Sequence, residues 1–326
     1  MNDLSPLPAT LVDSRGVPHE GAFAGTFPRA SLDGGIVGRL RRKSWRWVGI
    51  FRDDLVIAAA VADIGYLGVA FAYVAEGSSV VERAWKAPGA VGMKVGAADG
   101  ASVALAPLRL ISLAVTRSGG LTFTLDLPGI QANVDVAGDA TPLTVVSDVG
   151  HGSGAHGITV KGAGLVARGT VAVEGRNYAL EDARACVDWT EASFPRHTAW
   201  FWAAGAGLSV AGQPLGFNLA FGIHDDVHGR FNENALWLDG VPSALPGVTF
   251  TPGEGSSPWT VHSEDGSVDL VFEPRGERGE KVKLLLVRSR FRQAFGTFTG
   301  RLRDARGRVA RLESVPGVAE DHEAVW

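Results

Sequence analysis

The chain contains a single cysteine, Cys186, among its 326 residues. One thiol excludes an intrachain disulfide and a cysteine-rich metal site, and it suits a reducing compartment. Clustered basic charge is missing as well: the formal net charge is −4, the pI is near 6.1, and no lysine or arginine run is interleaved with aromatics. A nucleic-acid partner is therefore not expected. Met1 to Gly16 has no basic stretch followed by an apolar one, so no signal peptide is expected and the cytoplasm is the expected location. Leu55 to Ala75 is long enough for a membrane helix, but it holds Asp63, Gly65 and Gly68 at its centre. It reads instead as two buried strands joined near Asp63-Ile64-Gly65, and no transmembrane segment is expected.

Familiar catalytic motifs are absent: there is no Gly-Lys-Ser/Thr phosphate loop, no Gly-x-Ser-x-Gly elbow and no His-Glu-x-x-His. Long helical periods are lacking too. What fills the chain is glycine, 43 residues of it, punctuating short apolar runs that alternate with period two, the pattern of antiparallel strands joined by tight turns. Ser44 to Ile50 sets Trp45 and Trp47 on one face and Arg46 and Val48 on the other. Leu110 to Thr116 and Leu121 to Leu127 read as a hairpin closed by Arg117-Ser118-Gly119-Gly120, because glycine supplies positive φ at no steric cost. Glu181 to Val187 could form a short helix. Arg275 to Gly279 reads as a turn between strands. Many short antiparallel strands imply sandwiches or closed barrels, since closure removes the exposed edge. The expected fold is all-β, with two antiparallel β-barrels or sandwiches and little helix. A length of 326 residues favours two domains, and the Gly-, Ser- and His-rich stretch Asp148 to Gly157 marks the boundary between 1–150, with an irregular N-terminal segment, and 151–326.

The stretch from Asp188 to Gly240 carries four of the nine tryptophans. Three strand-like runs there present Trp200 and Trp202, then Asn218 among small residues, then Glu233 with Trp237. If those faces point inward, the second barrel holds an apolar cavity with a few polar groups, the usual form of a small-molecule site. Trp200, Trp202, Asn218, Asn232, Asn234 and Trp237 are the expected ligand contacts. Asp188 and Glu233 are the candidates for general acid or base, because a carboxyl group in an apolar pocket is held towards neutrality and can protonate an alkene or carbonyl. Each has a plain structural counterpart: buried asparagines satisfy backbone groups where strands bend, and tryptophans fill cores. Lys161 and Asp63 are charges within apolar strands, expected to find ion-pair partners or solvent. His224-Asp225-Asp226-Val227-His228 offers metal-ligand types, but Asp-Asp before Gly229 reads as a turn, and no metal or cofactor is expected. In Glu320-Asp321-His322 adjacent residues point apart, so the segment reads as a tail that ties Trp326 to the barrel.

Several short stretches resemble a bacterial domain-of-unknown-function family, the one numbered 2804. They are Lys43 to Trp47 with Ala62-Asp63-Ile64-Gly65-Tyr66, Ile158 to Lys161, Asp188-Trp189, Trp200-Phe201-Trp202, Gly216-Phe217-Asn218, Asn232 to Trp237, and Glu320-Asp321-His322 with Trp326. That family is similar, more distantly, to the AttH and carotenoid hydratase-like group of the calycin superfamily. The resemblance implies tandem lipocalin-like barrels and a hydrophobic small molecule as ligand. The wider group includes cofactor-independent hydratases and cyclases, whose catalytic residues have no one-to-one match here. The functional expectation is thus a cavity protein for a hydrophobic molecule, as a cofactor-free hydratase, isomerase or cyclase, or else a lipid-like carrier or a purely structural barrel. The sequence sets no oligomeric state.

Overall fold

The computed structural model describes residues 3–28, 41–52, 54–150, 155–226, 228–283 and 288–326. In the first part of the chain the strands are β1 (Ser5–Pro6), β2 (Gly21–Ala24), β3 (Lys43–Arg52), β4 (Leu55–Asp63), β5 (Leu67–Glu76), β6 (Ser79–Pro88), β7 (Met93–Lys94), β8 (Ala101–Ala106), β9 (Arg109–Val115), β10 (Leu121–Leu127), β11 (Ile130–Val136), β12 (Leu143–Asp148), β13 (His156–Val173) and β14 (Arg176–Ala192). These form one sheet whose main path runs β6-β5-β4-β3-β14-β13-β11-β10-β9-β8-β7. The remaining strands are β15 (His197–Leu208), β16 (Pro214–Phe221), β17 (Ala235–Leu238), β18 (Val241–Ala244), β19 (Thr249–Thr251), β20 (Trp259–His262), β21 (Val268–Lys283), β22 (Arg288–Arg303) and β23 (Val309–Val325). They form a second sheet in the order β18-β17-β16-β15-β23-β22-β21-β20-β19. Apart from the short parallel β1–β2 pair, all pairings are antiparallel, and the architecture is the expected pair of tandem all-β barrels.

The apolar stretch at Leu55 folds as two strands, β4 and β5, joined at Ile64-Gly65-Tyr66. The hairpin of β9 and β10 also forms, closed by Thr116 N–H to Gly120 O (2.7 Å) with Gly119 at φ +83°. No helix among the described residues is long and apolar enough to cross a membrane.

Three expectations are corrected. Glu181 to Val187 is not helical but lies inside β14, because its Arg184 to Val187 portion pairs with β13 on one side and with β3 on the other, and two ladders outweigh a weak local preference. Arg275 to Gly279 is strand as well, part of β21, with a register irregularity between Pro274 and Gly276. The stretch from Asp148 to Gly157 does not separate the sheets: β13 and β14, both beyond residue 150, complete the first sheet against β11 and β3. The chain passes to the second sheet between Ala192 and His197. Residues 151–154 of that stretch lie outside the described residues.

Alternation along β3 divides its side chains between two cores. Val48 and Ile50 enter the first barrel with Ile57, Leu113 and Phe123, while Trp47 and Phe51 point the other way. The second sheet encloses its own core around Phe217, Trp259, Phe272 and Phe298. Between the two lies a third apolar cluster that takes Trp47, Phe51, Phe71 and Tyr73 from the first sheet and Trp200, Trp202, Trp237, Phe295 and Val318 from the second. The backbones come close at one point, where a Cβ on Gly216 would lie 2.2 Å from Gly164 N. Only glycine allows that approach.

Candidate functional site

The cavity lies between the two sheets, not inside the second barrel. Its volume is about 190 Å³. The first sheet supplies Trp45, Trp47, Ala60, Ala62, Val69 and Phe71, and the second supplies Trp200, Trp202, Phe291, Gln293, Glu320 and His322. The reason is the register of the strands. Trp45 stands opposite Ala62 and Trp47 opposite Ala60, and Ala62 and Ala60 in turn stand opposite Val69 and Phe71, so one face of β3-β4-β5 carries large rings at its ends and small alanines between. On the facing sheet one row runs Trp202, Glu320, Gln293, Arg278 across β15, β23, β22 and β21, and the next runs Trp200, His322, Phe291, Glu280. The small alanines in the middle of the first wall leave the gap.

Two clusters of ionisable groups in its lining hold the candidate acids. In the first, Lys161 and Asp188 are direct partners across β13 and β14, with Nζ 2.8 Å from Asp188 Oδ1 and 2.9 Å from Glu233 Oε2. All three are buried. Asp188 Oδ2 also accepts from Trp45 Nε1 (3.1 Å), and Oδ1 accepts from the Thr190 and Thr159 hydroxyls (3.1 and 3.4 Å). Burial pushes the Glu233 carboxyl up to about 7, against the pull of the Lys161 charge. The two carboxylates raise the Lys161 ammonium above its ordinary value in spite of burial.

The second cluster is on β23. Trp200 Nε1 donates to Glu320 Oε1 (2.9 Å), and Gln293 Nε2 donates to Oε2 (2.9 Å) while its own Oε1 accepts from Tyr73 O–H (3.0 Å). Burial outweighs these bonds and holds the Glu320 carboxyl up at about 7. Each oxygen keeps a second lone pair on which a proton can sit. His322 packs its ring against Trp200 at 4.1 Å, its Nε2 lies 3.0 Å from Ser289 Oγ, and burial depresses the imidazole to about 3. Among the described residues no lysine or arginine lies within ion-pair distance of Glu320; the basic side chain that does is this imidazole, neutral and at 4.0 Å.

The structure brings Asp188, Glu233, Trp200 and Trp202 to the cavity wall and leaves the other expected contacts away from it. Asn218 is consumed behind Trp202, accepting from its Nε1 (2.8 Å) and donating to Glu233 O (2.8 Å). Asn234 accepts from Ala220 N–H (2.6 Å) and donates to Pro246 O (2.9 Å), and Asn232 accepts from Asn234 N–H (2.8 Å). Trp237 is fully buried and donates to Thr141 O (2.8 Å) across the join of the sheets. Glu233 itself precedes β17 rather than lying in a strand, so the expected alternation with Trp237 does not operate. Of the histidine pair, His224 is buried, with Nδ1 2.9 Å from Ser147 Oγ. Asp226 forms a turn, accepting from the backbone N–H groups of His228 and Arg230 and from the Arg230 guanidinium, and Val227 lies outside the described residues. No group of three metal-ligating side chains occurs among the described residues.

Glu320 and His322 were missed for a simple reason. Residues i and i+1 of a strand diverge, but i and i+2 share a face, and that spacing was available in Glu320-Asp321-His322. Trp326 does tie down, donating from Nε1 to Thr198 Oγ1 (3.1 Å), and it also lines the cavity.

Among curated proteins no sequence match to the chain was found. In fold it is similar to the crystal structure of a candidate AttH of Nitrosomonas europaea, with a TM-score of 0.53 at 13% identity over 92% of this chain and 98% of that one. Lower similarity extends to kievitone hydratase of Nectria haematococca, with TM-score 0.44, 12% identity, and 87% and 88% of the two chains covered. The structure of CghA with Sch210972 matches at TM-score 0.42 and 12% identity, covering 99% and 97%. The match that shows kinship is in sequence: over residues 5–326 the chain belongs to the DUF2804 family, a domain of unknown function.

Proposed function

We propose that the cavity between the sheets binds a hydrophobic small molecule and that Glu320 transfers a proton to or from it without a cofactor, as in a hydratase, isomerase or cyclase. The observation that carries this reading is a buried carboxyl, held up at about 7, in the wall of a cavity whose lining is more apolar than polar and includes five tryptophans. A store for an apolar molecule has no use for such a group, since burying it is unfavourable unless it is paired or put to work. A general acid, by contrast, works best when its pKa lies near the operating pH. Asp188 and Glu233 share the Lys161 ammonium, which fits them for holding the two sheets and the polar end of the cavity in place. Glu320 accepts from Trp200 and Gln293 but has no lysine or arginine within ion-pair distance among the described residues, and it is the group assigned here to exchange its proton. Trp200, Trp202, Trp45 and Phe291 supply the walls that exclude water and favour a flat or cyclic apolar body.

The test is incubation of the purified protein in D2O with a panel of terpene-sized cyclic ketones, alcohols and alkenes, followed by mass spectrometry for gained deuterium or water. The reading expects exchange or hydration of at least one class, lost in Glu320→Gln while apolar probes still bind. Binding with equal exchange in both proteins would overturn the acid role of Glu320.

A further inference from the structure

Resting on that reading, the structure assigns a second binding group to the cavity: we propose that Arg278 receives the carbonyl oxygen of the ligand at its Nη1 atom. Arg278 is on β21, in register with Gln293, and so belongs to the same row as Glu320, two strands away. At the spacing of neighbouring strands their backbones are about 10 Å apart. The guanidinium is buried and lines the cavity. It lies over the Phe71 ring at 3.8 Å and faces the Phe291 ring at 5.0 Å.

Two of its three nitrogens are used. Nε and Nη2 both donate to Glu82 Oε1, at 2.9 and 2.7 Å. That edge of the planar fork is saturated, and the remaining Nη1 stands at the other side. Among the described residues Nη1 has no hydrogen-bond partner although it is buried. A guanidinium nitrogen can only donate, so what completes this site is an acceptor. The Arg278 charge is already balanced by Glu82, and the neighbouring Lys86 is paired with Glu280. A further full negative charge is therefore not called for, and a neutral carbonyl oxygen fits better than a carboxylate. The ligand class that follows is an apolar, cyclic ketone, enone or lactone. With its oxygen held at Arg278 and its ring against Phe71 and Phe291, its carbon skeleton extends along the row towards Glu320. A hydrogen bond placed at that oxygen strengthens as negative charge develops on it, so the same contact that orients the ligand would favour proton transfer at a carbon conjugated with the carbonyl.

The experiment compares trans-2-decalone with trans-decalin, two probes of one shape that differ only in the carbonyl. Binding is followed by quenching of tryptophan fluorescence, and the infrared carbonyl stretch of the bound ketone is recorded. The expected result is at least tenfold tighter binding of the ketone, with its stretch shifted to lower frequency than in hexane. In Arg278→Met combined with Glu82→Gln, which leaves no unpaired carboxylate, both effects should disappear while decalin binds as before. Equal affinities in the native protein, or a bound carbonyl that absorbs as it does in hexane, would overturn the assignment and leave the apolar cavity standing. Failure of both probes to bind would overturn the assignment together with the cavity reading. If the double variant does not fold, the infrared shift in the native protein decides alone.

Discussion

Glu320 and His322 face the same way from β23, two residues apart, with His322 Nδ1 4.0 Å from Glu320 Oε1. Burial moves both groups towards their neutral forms, the carboxyl up to about 7 and the imidazole down to about 3. Their contributions to stability therefore run in opposite directions with pH. Between about 4.5 and 7 the unfolded chain has released the Glu320 proton and the folded protein has kept it, so this group lowers stability as pH rises. Between about 3 and 6.5 the unfolded histidine binds a proton that the folded one does not, so stability rises with pH there. Melting curves of the native protein alone would show only the sum. Glu320→Gln should remove this group's part of the fall and leave that of Glu233, so its melting temperature should gain on the native protein as pH rises from about 4.5 to 7. His322→Gln should lose ground over the lower window. Parallel curves for Glu320→Gln and the native protein would contradict the burial argument.

Lys161 ties Asp188 of the first sheet to Glu233 of the second part of the chain. Lys161→Met should destabilise the protein by about 3 to 5 kcal/mol, because removal of one member of a buried ionic set leaves the others uncompensated. Adding Asp188→Asn and Glu233→Gln should recover a large part of the loss. Urea unfolding of the single and triple variants measures this, and a triple variant less stable than the single one would show the cluster to be held by something other than charge.

Asn218 bridges the Trp202 indole and the backbone at Glu233. Asn218→Ala should cost about 1 to 3 kcal/mol of stability, since it leaves a buried indole N–H without its acceptor. Binding of trans-decalin should be weakened less than by Trp200→Ala, which removes part of the wall itself. A variant of native stability with abolished binding would restore Asn218 as a ligand contact.

The legible part of the molecule was what local pattern determines. Trp45 and Trp47 share a face of β3, the Leu55 stretch splits into two strands, and the Ser-Gly-Gly turn closes its hairpin, because each depends on period-two alternation or on turn chemistry within a few residues. What escaped depends on pairing across the chain. Glu181 to Val187 looked helical until β13 and β3 are placed on either side of it. The cavity walls come from residues more than 200 positions apart, such as Phe71 and Phe291, and no window along the sequence brings those together. Glu320 and His322 were within reach of the pattern at i and i+2. Arg278 was not, because a five-residue stretch with two glycines reads as a turn, and only the partner strand β22 holds it extended.

Every role proposed for Glu320 and Arg278 requires that an apolar molecule enters between the sheets. A crystal of the protein soaked with 2-bromonaphthalene, with the bromine located by anomalous diffraction, tests this most directly. The predicted result is a single strong bromine position enclosed by Trp45, Trp200 and Phe291, absent in an Ala62→Trp variant whose added indole fills the space. Bromine bound only inside one of the barrels or on the outer surface, with the space between the sheets empty, would contradict it.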